Sequence, residues 1–108
     1  MKKIALGITN FELGTKVSQQ LTDAGFQVDF IAKDDPVPLD CEITIIPADG
    51  WAETDLSDIG SYLIGYADTM TSDEVITWKA KGFNRTILTS ALNRNVTDIV
   101  AQILDERK

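Results

Sequence analysis

The sequence predicts one α/β domain built on a doubly wound, five-stranded parallel sheet. Short runs of β-branched and aromatic residues alternate with segments whose apolar residues recur at helical spacing, a pattern typical of parallel sheets. A chain of 108 residues is long enough to bury a core without disulfides or metal. Because the sequence contains no repeat, low-complexity tract or flexible linker, we expect residues 1–108 to form a single domain.

Five segments have the composition of strands. The third contains three isoleucines, and strands of a doubly wound sheet are expected to be apolar because both of its faces are covered. In chain order the predicted strands are Lys3–Thr9, Gln27–Ala32, Glu42–Pro47, Ser61–Ala67 and Arg85–Ser90.

Three main helices are predicted, and the first follows the first strand. It begins at Thr9 or Asn10, because Thr9 and Glu12 have the spacing of a capping box. Its apolar residues lie on one face, and it ends at Gly25. We expect Thr9 to act as a simple helix cap, since the loop lacks the closely spaced glycines of a phosphate-binding loop.

The other two helices occupy the carboxyl-terminal half of the chain. One begins at Thr71, three residues before Glu74, and runs to Gly82. The last is predicted to be capped near Asn95 and to continue with an apolar stripe.

The connections after the second and third strands do not fit this alternation. Pro36 and Pro38 fix extended geometry between the second and third strands and leave no room for a helix. Residues 48–60 allow at most a turn or two of helix after Thr54. The second and third helices of a five-helix domain are therefore predicted to be shortened or absent. One face of the sheet would then be covered by fewer helices than the other.

The composition excludes several function classes. The chain has no His and one Cys, which removes Ser–His and Cys–His catalysis, a disulfide framework and structural zinc. Its formal net charge of −7 argues against nucleic acid, because phosphate binding depends on Lys and Arg.

The charge is unevenly distributed along the chain. Thirteen acidic residues and one basic residue lie between Asp23 and Glu74, a net charge of −12, whereas nine basic and four acidic residues give the rest +5. This block is either a solvated acidic surface or a docking face for a basic partner.

The amino terminus does not have the pattern of a signal peptide. Lys2 and Lys3 precede apolar residues, but the apolar run stops before Asn10 and is too short for a signal peptide or a membrane span. We expect a cytoplasmic protein without a membrane partner.

Two segments carry a resemblance to a known family. Residues 4–28 contain a strand, a helix and Ala24-Gly25-Phe26-Gln27-Val28, and residues 63–104 contain a strand, a helix, Lys81-Gly82-Phe83, a strand and a terminal helix. In order and spacing they resemble the receiver domain of bacterial two-component response regulators. The resemblance covers about two-thirds of the chain and implies a flavodoxin-like sheet with a role in signal transduction.

The residues that would carry the family's phosphoryl transfer are replaced. Ile8-Thr9 stands where the family has the acids that hold magnesium, and Pro47-Ala48 where it has the phosphorylated Asp. Thr89-Ser90 replaces the family's Lys-Pro, and the Ser or Thr expected near Gly65–Ala67 is missing before Thr69. Because the reaction needs a carboxylate, a metal and a cation together, we expect a pseudo-receiver that is not phosphorylated and is not an enzyme.

Two alternatives stay open at this stage. In the first, Asp49 accepts the phosphoryl group, although it lies one or two residues past the position of the family's phosphorylated Asp. Glu12 would then be the nearby acid from the first loop. The other alternative is a small flavodoxin-like protein that binds flavin or a nucleotide at the carboxyl ends of the strands, between Trp51 and Tyr66.

We therefore expect a non-catalytic protein-interaction or regulatory module that acts by homodimerisation or by docking on a protein partner. The depleted sheet face, or the surface formed by the second predicted helix, the fifth strand and the last helix, would make the contact. No catalytic residue, cofactor or metal site is predicted. The candidate contact residues are Val37, Leu39, Trp51, Val75, Trp78 and Arg85.

Overall fold

The computed structural model describes residues 3–8, 10–31, 41–48 and 62–106, which form one parallel sheet with helices packed against it. In chain order the elements are β1 (Lys3–Leu6), α1 (Phe11–Asp23), β2 (Gln27–Phe30), β3 (Ile43–Pro47), β4 (Tyr62–Ala67), α2 (Ser72–Lys81), β5 (Arg85–Leu88) and α3 (Thr89–Glu106). The predicted fold class is confirmed. The two connections in which a helix was expected to be shortened or missing lie largely outside the described residues, as do Val37, Leu39, Asp49 and Trp51.

The strands are arranged in the order β2-β1-β3-β4-β5, and each neighbouring pair is parallel. After β2 the chain returns past β1 to place β3 on its other side. In doubly wound sheets, the loops that follow the strands on either side of such a reversal diverge and leave a crevice at the carboxyl edge. The topology therefore indicates this edge as the place to look for a site.

The larger of two apolar cores lies between the sheet and helices α1 and α3. Side chains alternate across a strand, so Ile43 and Ile45 of β3 enter this core while Ile46 faces the other side. The helices are also joined by polar contacts, since the Gln20 side chain donates to the Asn93 carbonyl oxygen at 2.8 Å. The fully buried residues of this larger core include Ile4, Leu6, Val17, Leu21, Ile64, Leu92, Val96, Val100 and Ile103.

The smaller core lies on the opposite sheet face, beneath α2. Trp78 of α2 is 5% exposed and packs with Phe83 and with residues of β3 and β4, chiefly Ile46 and Leu63. This core attaches α2 to the sheet through one large aromatic side chain.

Helix α1 begins at the second of the two predicted positions, Thr9 and Asn10. Asn10 is the N-cap, and its Oδ1 accepts a hydrogen bond from the Leu13 N–H at 3.1 Å. Of the two predicted starts, Asn10 is confirmed, and the prediction that Thr9 caps the helix is wrong because Asn10 is the N-cap. Asn is as good an N-cap as Thr, which explains why spacing did not separate the two residues.

The predicted start of α2 is confirmed. The Thr71 hydroxyl accepts from the Glu74 N–H at 3.2 Å, and the Glu74 carboxylate accepts from the Thr71 N–H at 3.0 Å, which completes a capping box. The helix ends at Gly82, whose φ of 123° is readily adopted by glycine.

The junction of β5 and α3 differs from the prediction. The strand ends at Leu88 rather than Ser90, and helical structure begins at Thr89 instead of near Asn95. Leu92 lies four residues before Val96 and is fully buried with it, so the apolar stripe of the helix begins one turn earlier. Asn95, with φ −129° and ψ 22°, is non-helical and lies at a kink between two helical segments of α3, so the predicted cap near Asn95 coincides with the start of the second segment.

Candidate functional site

A cavity of about 480 Å³ lies at the carboxyl edge of the sheet. Its wall is formed by the ends of β3 and β4, the amino ends of α1 and α2, and the first residue of α3. Pro47 closes β3 and pairs in register with Tyr66 of β4, and both line the cavity. The switch-point topology thus brings together five segments that are far apart in sequence.

Several polar side chains of this cavity come from the ends of α1, β4 and α2. Asn10 caps α1, Asp68 and Thr69 follow β4, and Glu74 belongs to the capping box of α2. None of the described lining residues is Lys or Arg, so the charges that the wall contributes are the two carboxylates. These two exposed carboxylates share the wall with the amino ends of α1 and α2, which carry partial positive charge.

Thr89 contributes a buried hydroxyl to the same wall. Its Oγ1 exposes less than 1 Å² and has no hydrogen-bond partner in the structure. Buried side-chain oxygens nearly always have a partner, because an unmade hydrogen bond leaves the cost of desolvation uncompensated.

The structure places the positions singled out in the sequence as follows. Pro47 and Thr89 line the cavity, whereas Ala48 is buried in the smaller core. Ile8 lies instead beside α1, and Thr9 and Asp49 are not among the described residues. Of the two proposed aromatic walls for a flavin, Tyr66 lines the cavity and Trp51 is also outside the described residues.

Sequence reasoning missed most of this site. Asp68, Glu74, Asn10 and Trp78 were not grouped, although the rule that sites lie beyond the carboxyl ends of strands points to Asp68 directly. Within the described part of the chain, no cluster of three His, Cys, Asp or Glu side chains has the arrangement to hold a metal ion.

A second candidate surface is formed by α2, β5 and α3, and we call it the α2–β5–α3 surface. Strand β5 is at the sheet edge, and two large apolar side chains stand out from the surface: Ile76 is 66% exposed and Leu88 41% exposed. Val75 and Arg85, both predicted contact residues, are half-buried. Trp78, the third predicted contact residue on this surface, is buried beneath α2, and a contact role for it stays a prediction.

Sequence reasoning also did not identify an exposed aromatic pair at the opposite edge of the sheet. Phe11 of α1 is 86% exposed and Phe30 of β2 is largely exposed, and they border a groove of about 550 Å³. Gly14 lies at the base of this groove, where a Cβ would meet the Phe30 ring at 3.5 Å.

The sequence matches no protein-family model and no curated protein. Among solved structures, the CheY-like receiver domain of a response regulator from Methanospirillum hungatei gives a TM-score of 0.74 at 13% identity, covering 98% of this chain and 95% of that chain. An orphan response regulator of H. pylori gives 0.70 at 16% identity, covering 99% and 97%.

A third solved structure, described as an atypical orphan response regulator with a phosphorylation-independent regulatory mechanism, gives a TM-score of 0.66 at 19% identity, covering 95% and 92%. At these identities the likeness shows the fold, and the chain has the CheY-like receiver fold. As for membranes, no helix among the described residues is both long enough and apolar enough to cross one.

Proposed function

We propose that this protein is a cytoplasmic regulatory module with a receiver fold that works without phosphorylation, through association of two copies on the α2–β5–α3 surface. The observation that carries the proposal is the composition of the carboxyl-edge cavity. Pro47 ends β3 and Thr89 begins α3, the positions at which the resemblance calls for a phosphorylated Asp and a Lys. Two of the structural neighbours are orphan response regulators, which supports the proposal.

Among the described residues of this edge, phosphoryl transfer would lack its main parts. The proline ring has no nucleophile, and the Thr89 hydroxyl carries no charge to neutralise phosphoryl oxygens. Asp68 and Glu74 would add repulsion to an incoming phosphate. We therefore assign this protein no phosphoryl-transfer activity.

The α2–β5–α3 surface supports self-association. In a two-fold dimer the same patch of both copies forms the interface, and away from the axis residue i of one copy contacts residue j of the other. A patch that carries both charge signs can therefore be complementary to itself. Lys79 lies in the last turn of α2, Arg85 in β5, and Asp98 is exposed on α3. Ile76 of α2 and Leu88 of β5 add two exposed apolar side chains to the same elements.

Intact-mass measurement after incubation with acetyl phosphate and Mg²⁺ tests the phosphorylation-independent part of this proposal. We expect an unchanged mass, and the same oligomeric state before and after incubation. Asp49→Asn is the control for an offset acceptor. A stoichiometric phosphoryl adduct on the parent protein that this substitution removes would overturn the proposal.

A further inference from the structure

Strand β2 lies at one edge of the sheet. It pairs with β1, and no strand among the described residues pairs with its other side. The Ile31 N–H donates to the Leu6 carbonyl oxygen at 2.9 Å, and Leu6 is in register with Phe30. In a parallel pair this arrangement turns the backbone groups of Asp29 and Ile31 toward β1. The N–H and C=O groups of Val28 and Phe30 therefore point outward.

An open edge of this kind is a template for another strand, and natural sheets often blunt such edges with Pro or Lys. The four residues of β2, Gln-Val-Asp-Phe, include neither. The edge therefore keeps the backbone donors and acceptors that β-strand addition uses.

The groove bordered by Phe11 and Phe30 lies on the face of β2 that is turned toward α1. Side chains alternate across a strand, so Phe30 shares this face with Val28, which packs against the larger core. None of the described residues that line the groove is charged. A charge placed there would lose hydration without gaining a partner. Side chains of an added strand on this face should therefore be apolar.

The opposite face of β2 has a different character. Asp29 is half-buried there, and its Oδ2 contacts Lys3 Nζ at 2.9 Å. A residue directly opposite Asp29 on an added strand has its Cβ about 4.5–5.5 Å away, where opposite charges attract. Lys or Arg would contact the second carboxylate oxygen. The net charge of −12 between Asp23 and Glu74, the block that contains β2, favours the same sign.

We infer that β2 accepts an extended segment of a partner protein as an added strand, in which apolar residues that face the groove alternate with Lys or Arg that faces Asp29. Hydrogen bonds to the backbone of Val28 and Phe30 hold the segment, and the alternation of side chains selects it. The inference goes beyond the proposed function because it adds a partner at the sheet edge opposite β5, and it does not depend on the α2–β5–α3 surface.

The test is a titration of the ¹⁵N-labelled full chain with the peptide acetyl-Gly-Val-Lys-Leu-Lys-Val-Gly-amide, whose alternation suits either strand direction. We expect saturable shifts and slowed hydrogen exchange at the amides of Val28 and Phe30. Exchange of the Asp29 amide should change little, because it already faces β1.

Two further peptides test the backbone contact. One is N-methylated at both lysines and the other at the valines and the leucine. Only alternate residues of an added strand turn their N–H groups toward β2, so one of these peptides should bind about tenfold more weakly than the parent peptide and the other about equally. A peptide with glutamates in place of the lysines should also bind more weakly.

Phe30→Thr keeps a residue suited to strands but removes the exposed ring, and it should weaken binding about fivefold. Asp29→Asn should reduce the preference for lysine over glutamate in the peptide. Ile76→Thr is the matched control, because it changes an exposed apolar residue that does not line the groove, and it should bind as the parent does.

The inference is overturned if the Val28 and Phe30 amides show no saturable change, if both N-methylated peptides bind as well as the parent peptide, or if Phe30→Thr binds with unchanged affinity. Slowed exchange at Val28 and Phe30 that grows with protein concentration in the absence of peptide would assign the edge to a second copy, and would also overturn it. Self-association through the α2–β5–α3 surface is measured separately, so this inference and the proposed function can fail independently.

Discussion

Asn84 forms two hydrogen bonds with the backbone of Leu63. The Asn84 N–H donates to the Leu63 carbonyl oxygen at 2.9 Å, and the Asn84 Oδ1 accepts from the Leu63 N–H at 2.8 Å. Asn84 immediately precedes β5, so its side chain supplies the acceptor that extends the pairing of β4 and β5 beyond the amino end of β5. This edge of the sheet carries the surface on which we expect two copies to meet.

Asn84→Ala is expected to lower the free energy of unfolding by about 1–3 kcal/mol, because it removes the acceptor of the Leu63 N–H in a partly buried setting. Asn84→Asp keeps a side-chain oxygen acceptor and is the matched control. Urea denaturation measures both. Equal stabilities of the two variants would show that the side-chain bond contributes nothing.

Position 65 requires glycine because the ring of Phe83 lies close to its backbone. A Cβ at position 65 would stand 2.8 Å from two carbons of the Phe83 ring and 3.0 Å from the Ala48 Cβ. Gly65→Ala should therefore cost about 1–3 kcal/mol through overpacking. Combining it with Phe83→Leu should cost less than the two single changes added together, as measured in a double-mutant cycle.

Gly14 is the matched control for that substitution. A Cβ there would meet the Phe30 ring at 3.5 Å and Ile8 at 3.7 Å, which are ordinary contacts. Because Gly14 lies inside α1, Gly14→Ala should stabilise the protein by about 0.5–1 kcal/mol through helix propensity. If both alanine variants were destabilised equally, the packing described around Gly65 would be wrong.

The capping box of α2 predicts that Thr71→Ala lowers the free energy of unfolding by about 0.5–2 kcal/mol, since the Glu74 N–H loses its acceptor. Thr71→Ser retains the hydroxyl and should stay close to the parent protein. Thermal denaturation followed by circular dichroism compares them, and a serine variant as unstable as the alanine variant would contradict the assignment.

Local signals in the sequence predicted much of the fold. The isoleucine-rich segment Ile43–Pro47 and the Thr71–Glu74 spacing each depend on residues close together in the chain, and the structure contains both elements. The β5–α3 junction was mispredicted because Thr89 and Ser90 suit a strand end as well as a first helical turn. Burial of Leu92 in the tertiary structure favours helix over strand at this junction.

The cavity could not be predicted from patterns among residues that are close together in the sequence. Asn10, Asp68, Glu74 and Thr89 meet there because of the strand order, and no spacing in the sequence records that meeting. The isolation of the Thr89 hydroxyl is equally invisible in the sequence, because a threonine at the start of a helix usually finds a partner.

Sedimentation velocity tests the central claim most directly. We predict that the parent protein at micromolar concentration sediments as a dimer with or without acetyl phosphate, and that Ile76→Glu and Leu88→Glu shift it to monomer. Phe11→Glu changes an even more exposed apolar residue on α1, outside the α2–β5–α3 surface, and should remain dimeric. A parent protein that is monomeric at every concentration, or dimers that persist in both the Ile76→Glu and Leu88→Glu variants, would contradict the account.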